Sequence, residues 1–180
     1  MTKLPRHLGG HANKTHIDEG TLQYFIKNFD IKTMIDLGCG PGGQVELAKS
    51  LGIDAYGIDG DYTLERSFDC IVHDFTKGTV DTPLESFDLC WTVEFVEHVS
   101  EEYMANYMPI IAKCKYVVMT HALPGEPGHH HVNCQTADYW VEKMKNCGLF
   151  YNDSLTKIIR KTSTMRKKFV GRRGLVFNKL

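Results

Sequence analysis

The sequence predicts a single α/β domain with a doubly wound, mostly parallel β-sheet and helices on both faces. Two observations lead to this prediction. Short apolar segments alternate with helix-like segments along most of the chain, which is the order expected for a parallel sheet. The first apolar segment is followed by a glycine-rich loop and a helix, a unit that binds ligands in doubly wound folds. The 180 residues suffice for one such domain but are too few for an added substrate domain.

The strand, loop and helix of this first unit are predicted over residues 34–49. The apolar segment 34–37 leads into a loop of sequence Gly-Cys-Gly-Pro-Gly-Gly, and residues 44–49 then begin a helix. Because glycine has no Cβ, the backbone of this loop can approach a ligand closely. The loop fits the dinucleotide pattern G-x-G-x-x-G through Gly38, Gly40 and Gly43, and the pattern D-x-G-x-G-x-G through Asp36, Gly38, Gly40 and Gly42.

The charge of Asp36 favours the second pattern. A dinucleotide would bring a pyrophosphate dianion to the loop, and a carboxylate two residues before the first glycine would repel it. S-adenosylmethionine (SAM) brings a sulfonium and an ammonium group, which the same carboxylate would attract. The second pattern resembles the first motif of the class I SAM-dependent methyltransferases. A nicotinamide-dependent dehydrogenase and a non-catalytic nucleotide-binding protein remain as alternatives, since both would explain the glycines.

Further strands are expected to follow in order. Residues 54–58 form the second strand and end at Asp59, which lies 21 positions after Gly38 (59 minus 38), close to the spacing of about 20 for a ribose-binding acid. The third strand, 70–73, leads into Asp74 and Phe75. Strands at 87–93 and 116–120 enclose a helix over 101–112, and 174–178 return as the last strand. These strands end at the carboxyl edge of the sheet, where ligands bind in such folds.

The resemblance implies a Rossmann-like sheet of seven strands, of which the last is antiparallel. It also implies roles for the residues at the strand ends. Asp59 would bind the ribose of the donor, although a turn role is the alternative. Asp74 would accept a hydrogen bond from the adenine amine, and Phe75 would pack on the base. The expected donor-binding residues are Asp36, Gly38, Cys39, Gly40, Gly42, Asp59, Gly60, Asp74, Phe75 and Trp91.

A metal site is predicted directly after the fourth strand, in the segment Glu-Phe-Val-Glu-His. If a helical turn begins there, Glu94, Glu97 and His98 share one face, which suits Mg²⁺, Mn²⁺ or Zn²⁺. The segment is similar to the metal site of the small-RNA 3′-terminal ribose 2′-O-methyltransferases and of the ubiquinone-pathway O-methyltransferases. The RNA enzymes add a histidine from the loop after the fifth strand, for which we choose His131. Methyltransferases without a metal also carry a Glu-His pair here, so a solvent-facing Glu97 is the alternative.

Transfer of a methyl group to a hydroxyl requires a residue that accepts the hydroxyl proton. The candidates for this catalytic role are His121, His131 and Glu94. His121 follows the fifth strand, at the height expected for the acceptor, although a structural hydrogen bond would also explain it. The irregular loop over residues 121–136 is long enough to be a lid or a binding loop.

Composition excludes several classes of protein. The chain is 42% hydrophobic and 24% charged, it contains no apolar run close to the roughly 20 residues of a membrane span, and residues 1–11 contain no signal-peptide core. Its six cysteines form no C-x-x-C pair, which suits buried thiols in a reducing compartment. A cytoplasmic location is therefore expected.

Positive charge is concentrated at the C-terminus. All 22 acidic residues lie at or before Asp153. Such asymmetry can mark a surface for nucleic acid, a phosphorylated substrate or an acidic membrane. A solvated basic helix and edge strand that balance an acidic body are the alternative. The nine basic residues that follow Asp153 are Lys157, Arg160, Lys161, Arg166, Lys167, Lys168, Arg172, Arg173 and Lys179.

These observations predict one methyltransferase domain over residues 1–180, with an N-terminal helical or cap segment over 1–30 and a Rossmann-like core over 31–180. The chain resembles the compact single-domain methyltransferases of phage and environmental genomes. The expected donor is SAM, and the expected acceptor is a sugar or another small hydroxylated molecule. An RNA ribose is the alternative acceptor, and nucleic acid is a further candidate partner for the basic C-terminal segment.

Overall fold

A seven-stranded sheet forms the centre of the protein in the computed structural model, which describes residues 4–180. Its strands are β1 (Thr33–Leu37), β2 (Asp54–Asp59), β3 (Cys70–Val72), β4 (Phe87–Thr92), β5 (Cys114–Met119), β6 (Phe150–Tyr151) and β7 (Leu175–Asn178). They lie in the order β3-β2-β1-β4-β5-β7-β6. The pairs among β1 to β5 are parallel, and β7 is antiparallel to both β5 and β6. The predicted mostly parallel sheet of seven strands, with an antiparallel last strand, is confirmed.

Helices cover both faces of this sheet, as predicted. They are α1 (Glu19–Phe29), α2 (Gly43–Ser50), α3 (Met104–Ala112), α4 (Ala137–Asn146), α5 (Asp153–Thr162) and α6 (Phe169–Arg173). Apolar side chains of α1, α2, α5 and α6 pack on one face, and those of α3 and α4 pack on the other. Successive residues of a strand point to opposite faces of the sheet. Val117 therefore packs beside α3 and α4, whereas Val118 packs beside α1, α2, α5 and α6. Because both faces are covered, the central strands are almost continuously apolar.

The order in which the strands are added to the sheet reverses between β1 and β4. From β1 the chain continues outward to β2 and β3, and it then returns to place β4 on the other side of β1. Asp36 on β1 is paired with Gly57 of β2 on one side and with Trp91 of β4 on the other. Ligands bind at the carboxyl ends of strands where the strand order reverses. Asp36 therefore lies beside the position at which a ligand is expected.

A buried acid ties the N-terminal helix to the C-terminal part of the chain. Asp18 is the N-cap of α1, is fully buried and accepts a hydrogen bond from the Thr21 backbone N–H at 3.1 Å. The same carboxylate accepts hydrogen bonds from the Ser163 hydroxyl at 2.5 Å and from the Thr164 backbone N–H at 2.9 Å. A carboxylate satisfied by several donors fixes the segments that supply them. The turn between α5 and α6 is thus held against the start of α1.

Some expected elements differ in the structure. The C-terminal strand is not the edge strand that the alternative explanation of the basic segment assumed, because β7 lies inside the sheet between β5 and β6. The two-residue strand β6 forms that edge and was not predicted. The helix expected over 101–112 is a 3₁₀ turn over Glu101–Tyr103 followed by α3. The third, fourth and fifth strands end one residue earlier than expected. Within residues 4–180, no helix combines the length and the hydrophobicity needed to cross a membrane.

Candidate active site

A cavity of about 380 Å³ lies at the carboxyl edge of the sheet, and we call it the donor cavity. Nine of the ten predicted donor-binding residues line it, and the exception is Gly42. The backbone of Gly42 has a left-handed φ of 91° at the N-cap of α2, and a Cβ there would overlap the Phe68 ring. Gly42 therefore shapes the loop rather than lining the cavity. The nine that line the cavity are Asp36, Gly38, Cys39, Gly40, Asp59, Gly60, Asp74, Phe75 and Trp91.

Asp36 is a buried acid in the wall of the donor cavity, with 4% of its surface exposed. Within residues 4–180, its side chain makes no hydrogen bond or ion pair. Burial raises the pKa of this carboxyl well above its usual value, and the nearby Asp59 raises it further. A buried carboxylate is stabilised when a cation binds beside it. The Asp36 environment therefore suits a positively charged ligand, as predicted for SAM, and is unfavourable for a pyrophosphate.

Asp59 helps to hold the glycine loop as well as lining the donor cavity. Its Oδ2 accepts a hydrogen bond from the Gly40 backbone N–H at 2.8 Å, and its Oδ1 accepts one from the Asp61 N–H at 2.8 Å. Arg66, which was not predicted for this site, donates from Nε to the Gly40 carbonyl at 2.7 Å, and its Nη2 lies 3.4 Å from Asp59 Oδ1. The loop is thus fixed from two sides, and the ribose role of Asp59 stays a prediction.

The N-terminal segment, defined as residues 7–16, contributes eight residues to the lining of the donor cavity. Two histidines attach it to the core. His7 Nε2 lies 2.9 Å from Asp74 Oδ2, and His11 Nε2 lies 3.1 Å from Asp61 Oδ2. The pKa values of Asp61 and Asp74 are lowered. Burial acts to raise them, but hydrogen bonds from neighbouring threonines and from these histidines outweigh it. The predicted adenine-binding acid Asp74 is therefore already engaged by the segment that covers this part of the cavity.

Two thiols lie side by side at the donor loop. The Sγ atoms of Cys39 and Cys70 are 3.6 Å apart. Cys39 is buried and lines the donor cavity, whereas Cys70, at the start of β3, is partly exposed. The hydrogen bond between the two thiols raises the pKa of Cys39 and lowers the pKa of Cys70, and Arg66 lowers the latter further. Cys70 therefore has more thiolate character than an ordinary cysteine.

Three of the four predicted metal ligands come together beside the donor cavity. One ligand atom from each of Glu97, His98 and His131 lies within 4.8 Å of the others, and we call this group the metal cluster. Both histidines line the donor cavity. Both carboxylate oxygens of Glu97 are buried and have no hydrogen-bond partner within residues 4–180. Burial, together with the nearby Glu94, raises the pKa of Glu97 to about 8.

The two imidazoles of the metal cluster are held by hydrogen bonds to backbone carbonyls. Nδ1 of His98 lies 2.7 Å from the His129 carbonyl oxygen, and Nδ1 of His131 lies 3.1 Å from the Glu126 carbonyl oxygen. Because a carbonyl can only accept, Nδ1 carries the proton in the neutral form of each imidazole, and the lone pair of that form is on Nε2. Burial, with a smaller contribution from His131, lowers the pKa of His98 to about 4. His98 is therefore neutral near pH 7, the form that coordinates metals.

Backbone hydrogen bonds bring His131 to this position although it is distant in the sequence. The N–H groups of Val132 and Asn133 both donate to the Glu97 carbonyl, at 2.9 Å and 3.1 Å. These bonds fix the loop after β5 against the turn that follows β4. The proximity of His131 to the Glu97-His98 pair was expected only from the resemblance, and the structure shows its cause.

The expected helical turn beginning at Glu94 is wrong. Glu94 has a left-handed φ of 57°, and only Val96–His98 forms a 3₁₀ turn. Glu94 consequently does not share a helical face with Glu97, and among the described residues it lies outside the metal cluster. It does line the donor cavity, where its Oε1 accepts a hydrogen bond from the Thr120 hydroxyl at 3.2 Å. Burial raises the pKa of Glu94 to about 7.

His121, the other candidate base, is not brought to the donor cavity. Its side chain is buried, and its Nδ1 donates a hydrogen bond to the Gln135 carbonyl at 2.9 Å. This contact holds the two ends of the loop over residues 121–136 together, which is the structural alternative weighed for this residue. Phe95, which the sequence reading did not single out, lines the cavity instead and packs against Gly38.

Solved structures with the same fold are methyltransferases. Magnesium protoporphyrin IX methyltransferase (ChlM) from Synechocystis PCC 6803, with bound S-adenosylhomocysteine (SAH), is 13% identical with a TM-score of 0.58, covering 90% of this chain and 81% of ChlM. The methyltransferase domain of bacterial CtHen1-C is 15% identical with a TM-score of 0.60, covering 89% and 95%. Burkholderia thailandensis 1,6-didemethyltoxoflavin-N1-methyltransferase, also with SAH, is 12% identical with a TM-score of 0.60, covering 90% and 78%. At these identities the likeness concerns the fold alone.

The family match covers the part of the chain that builds the donor cavity. No curated protein sequence matches the chain significantly. Residues 35–118 match the family model described as a methyltransferase domain. This part of the chain is a methyltransferase domain. The matched segment runs from β1 to β5 and contains the glycine loop and Asp59, so the match supports the methyl-donor interpretation of that loop over the dinucleotide one.

The stability of the protein in the absence of divalent metal is expected to fall between pH 6.5 and pH 8. Folded Glu97 keeps its proton up to about pH 8, whereas the unfolded chain loses it near pH 4.5, so the folded state binds more protons across that window and stability falls as pH rises. His98 has the opposite effect between about pH 4 and 6.5, where the unfolded chain binds its proton first. The two effects offset each other below pH 6.5, and the Glu97 effect remains above it.

The expected loss is at most about 1.4 kcal/mol per pH unit for this one proton, with a smaller addition from Glu94 near pH 7. Urea unfolding in EDTA at a series of pH values measures it. Excess Mn²⁺ should reduce the slope, because a bound cation stabilises ionised Glu97. A free energy of unfolding that is constant or rises from pH 6.5 to 8 in EDTA would contradict the assignment of a protonated, buried Glu97.

Proposed function

We propose that this methyltransferase transfers the methyl group of SAM to a hydroxyl oxygen, and that Glu97, His98 and His131 bind a divalent metal beside that oxygen. The observation that carries the proposal is the Glu97 carboxyl. It is buried without a hydrogen-bond partner in the described residues, and it stands within 4.8 Å of two imidazole ligand atoms. Buried acids in proteins are paired or coordinate metals.

The donor set fits a metal better than it fits an ordinary hydrogen-bond network. Both imidazoles donate Nδ1–H to backbone carbonyls and leave Nε2 available, which is the arrangement that supports metal-bound histidines. Two nitrogens and one carboxylate suit Zn²⁺ or Mn²⁺ better than Mg²⁺, which prefers oxygen ligands. When bound, such a metal lowers the pKa of an alcohol that coordinates it.

Residues of the donor cavity supply the other requirements of the reaction. Asp36 would attract the positively charged donor, and the glycine loop lets the backbone approach it. The acceptor oxygen attacks the methyl carbon, the bond from that carbon to sulfur breaks, and SAH leaves with the electron pair on sulfur. The hydroxyl proton must go to a base in the cavity wall. Glu94 is our candidate, because its pKa of about 7 allows it to accept and release a proton near neutral pH.

The acceptor is proposed to be a sugar-type hydroxyl. A small hydroxylated molecule and an RNA ribose both present such a group, and the metal cluster would act on either. Among the solved structures of the same fold, one is named for a porphyrin substrate, one for a toxoflavin precursor and one as a bacterial Hen1 methyltransferase domain, so the shared fold does not select between acceptors.

The proposal is tested on the purified protein with and without metal. Elemental analysis identifies any metal bound as isolated. Calorimetric titration with SAH is then made in EDTA and after addition of Mn²⁺, Zn²⁺ or Mg²⁺, and transfer from methyl-labelled SAM is followed with sugars and RNA oligonucleotides. We expect SAH to bind in EDTA, and methyl transfer to require the metal. Full transfer in EDTA, or a product methylated on nitrogen or carbon, would refute the proposed chemistry.

A further inference from the structure

A concave surface between α5 and α6 is lined by five basic residues. The concavity has a volume of about 430 Å³, and no acidic residue lines it. We call its five basic residues the basic surface: Arg160, Lys161, Arg166, Lys168 and Arg172. All five belong to the C-terminal segment that carries nine basic residues and no acid after Asp153.

The cations of the basic surface are not neutralised by neighbouring acids. Within residues 4–180, none of the five forms an ion pair, and Lys161, Arg166 and Arg172 are exposed. Other cations of the same segment are paired, since Lys157 contacts Asp153 and Arg173 contacts Glu126. Arg160 donates a hydrogen bond to the Gly174 carbonyl at 2.7 Å, which leaves its charge uncompensated. Five cations without a carboxylate partner around one concavity produce a positive potential, which a ligand with several negative charges would relieve.

The basic surface borders the donor cavity. Lys168 lines the concavity, and the next residue, Phe169, lines the donor cavity. Phe169 is partly buried and packs edge-on against His16, with ring centroids 5.0 Å apart. Two further residues of the concavity, Ser163 and Thr164, are held by the buried Asp18 carboxylate. The basic surface is therefore a fixed extension of the site, with an aromatic ring at the border.

The size of the donor cavity indicates that most of the acceptor lies outside it. About 380 Å³ is near the lower end of the range of roughly 300–1,000 Å³ for ligand pockets, and the same space must hold the donor. An acceptor can thus place only its reacting group inside. A chain of nucleotides meets this requirement, because one sugar can enter while neighbouring phosphates contact the basic surface and a base stacks on an aromatic ring.

We infer that the basic surface binds the phosphate backbone of a single-stranded nucleic acid, and that this strand delivers a ribose hydroxyl to the donor cavity. A single strand is inferred because a duplex holds each nucleotide in its stack, whereas a free strand can extend one nucleotide into a pocket. The choice of a ribose hydroxyl rests on the proposed function. Binding of the phosphate backbone does not, and it is tested separately.

The experiment compares two triple variants that remove the same charge. K161Q/R166Q/R172Q changes three exposed residues of the basic surface. The control, K27Q/K49Q/K113Q, changes three exposed lysines elsewhere. Fluorescence anisotropy measures the affinity of each protein for a labelled single-stranded RNA of about 20 nucleotides at several salt concentrations. We expect the first variant to lose at least about tenfold in affinity, with a salt slope smaller by about 2, and the control to stay within about threefold of the unchanged protein.

The outcomes separate the inference from the proposed function. Equal weakening in both variants would show an effect of net charge alone and would overturn the inference, as would binding to phosphatidylserine vesicles but not to RNA. Thermal unfolding checks that both variants fold. SAH titration should give the same affinity in both variants as in the unchanged protein. If the unchanged protein did not bind SAH, that result would count against the proposed function alone. RNA that binds at the basic surface without becoming methylated on ribose would refute the assigned acceptor and retain the binding surface.

Discussion

Asp36→Asn is expected to weaken SAM binding by about 30- to 150-fold while leaving the fold intact. The carboxylate lies in the wall of the donor cavity, is buried and has no hydrogen-bond partner among the described residues. Its interaction with a cationic donor is therefore poorly screened, and a charge-assisted contact of about 2–3 kcal/mol corresponds to a change of this size. The amide keeps the shape of the side chain and removes only its charge.

The two ligands of the reaction make this test more specific. SAM carries a sulfonium that SAH lacks, so calorimetric titration should show a larger loss for SAM than for SAH. Without ligand, Asp36→Asn should be as stable as the unchanged protein or more so, because burial already disfavours the charged form of Asp36. Asp81→Asn, at an exposed acid between β3 and β4, is the matched control and should bind both ligands normally. Unchanged SAM affinity in Asp36→Asn would restrict this acid to a structural role.

Glu97→Gln is expected to reduce metal affinity by about 100-fold or more and to abolish metal-dependent methyl transfer. The variant removes the only carboxylate of the metal cluster and leaves two imidazoles, which bind divalent ions weakly by themselves. Because folded Glu97 is protonated near neutral pH without a metal, glutamine imitates its metal-free form. Calorimetric titration with Mn²⁺ and Zn²⁺ after EDTA treatment measures the affinity, and methyl release from labelled SAM measures the activity.

Two controls distinguish the loss of a ligand from general damage. Glu102→Gln changes an exposed acid in the next turn and should leave metal binding unchanged. SAH affinity should be the same in Glu97→Gln as in the unchanged protein, since Glu97 does not line the donor cavity. If Glu97→Gln kept both its metal and its activity, the unpaired carboxyl would require another explanation and the proposed metal centre would be withdrawn.

Local sequence patterns were sufficient to predict strands β1 to β5, strand β7 and the donor loop. The signals for these elements are local: a short apolar segment around Asp36, the glycines directly after it and an acid directly after the apolar residues of β2. Strand β6 escaped prediction because two residues carry no periodicity. The interior position of β7 escaped because pairing with β6 is a tertiary contact.

The details of the site were predicted less completely, because they depend on contacts between distant residues. The left-handed backbone of Glu94 has no signature in a segment that reads as helical, and it removes this residue from the expected ligand face. The contact from His7 to Asp74 joins residues 67 positions apart, and Arg66 reaches Gly40 across 26 positions. The grouping of His131 with Glu97 followed from resemblance, and only the structure shows the backbone bonds that produce it.

The neighbouring thiols of Cys39 and Cys70 have a consequence for handling the protein. The thiolate is the form of cysteine that attacks peroxides, and the lowered pKa of Cys70 raises its thiolate share. Cys70 is also partly exposed and lies 3.6 Å from a second sulfur. Because that second sulfur belongs to the glycine loop, any oxidation of the pair alters the wall of the donor cavity itself. Air-exposed preparations would therefore contain a mixture of molecules that bind the donor and oxidised molecules that do not. Affinities should accordingly be calculated from the concentration of intact donor cavities and not from the total protein concentration.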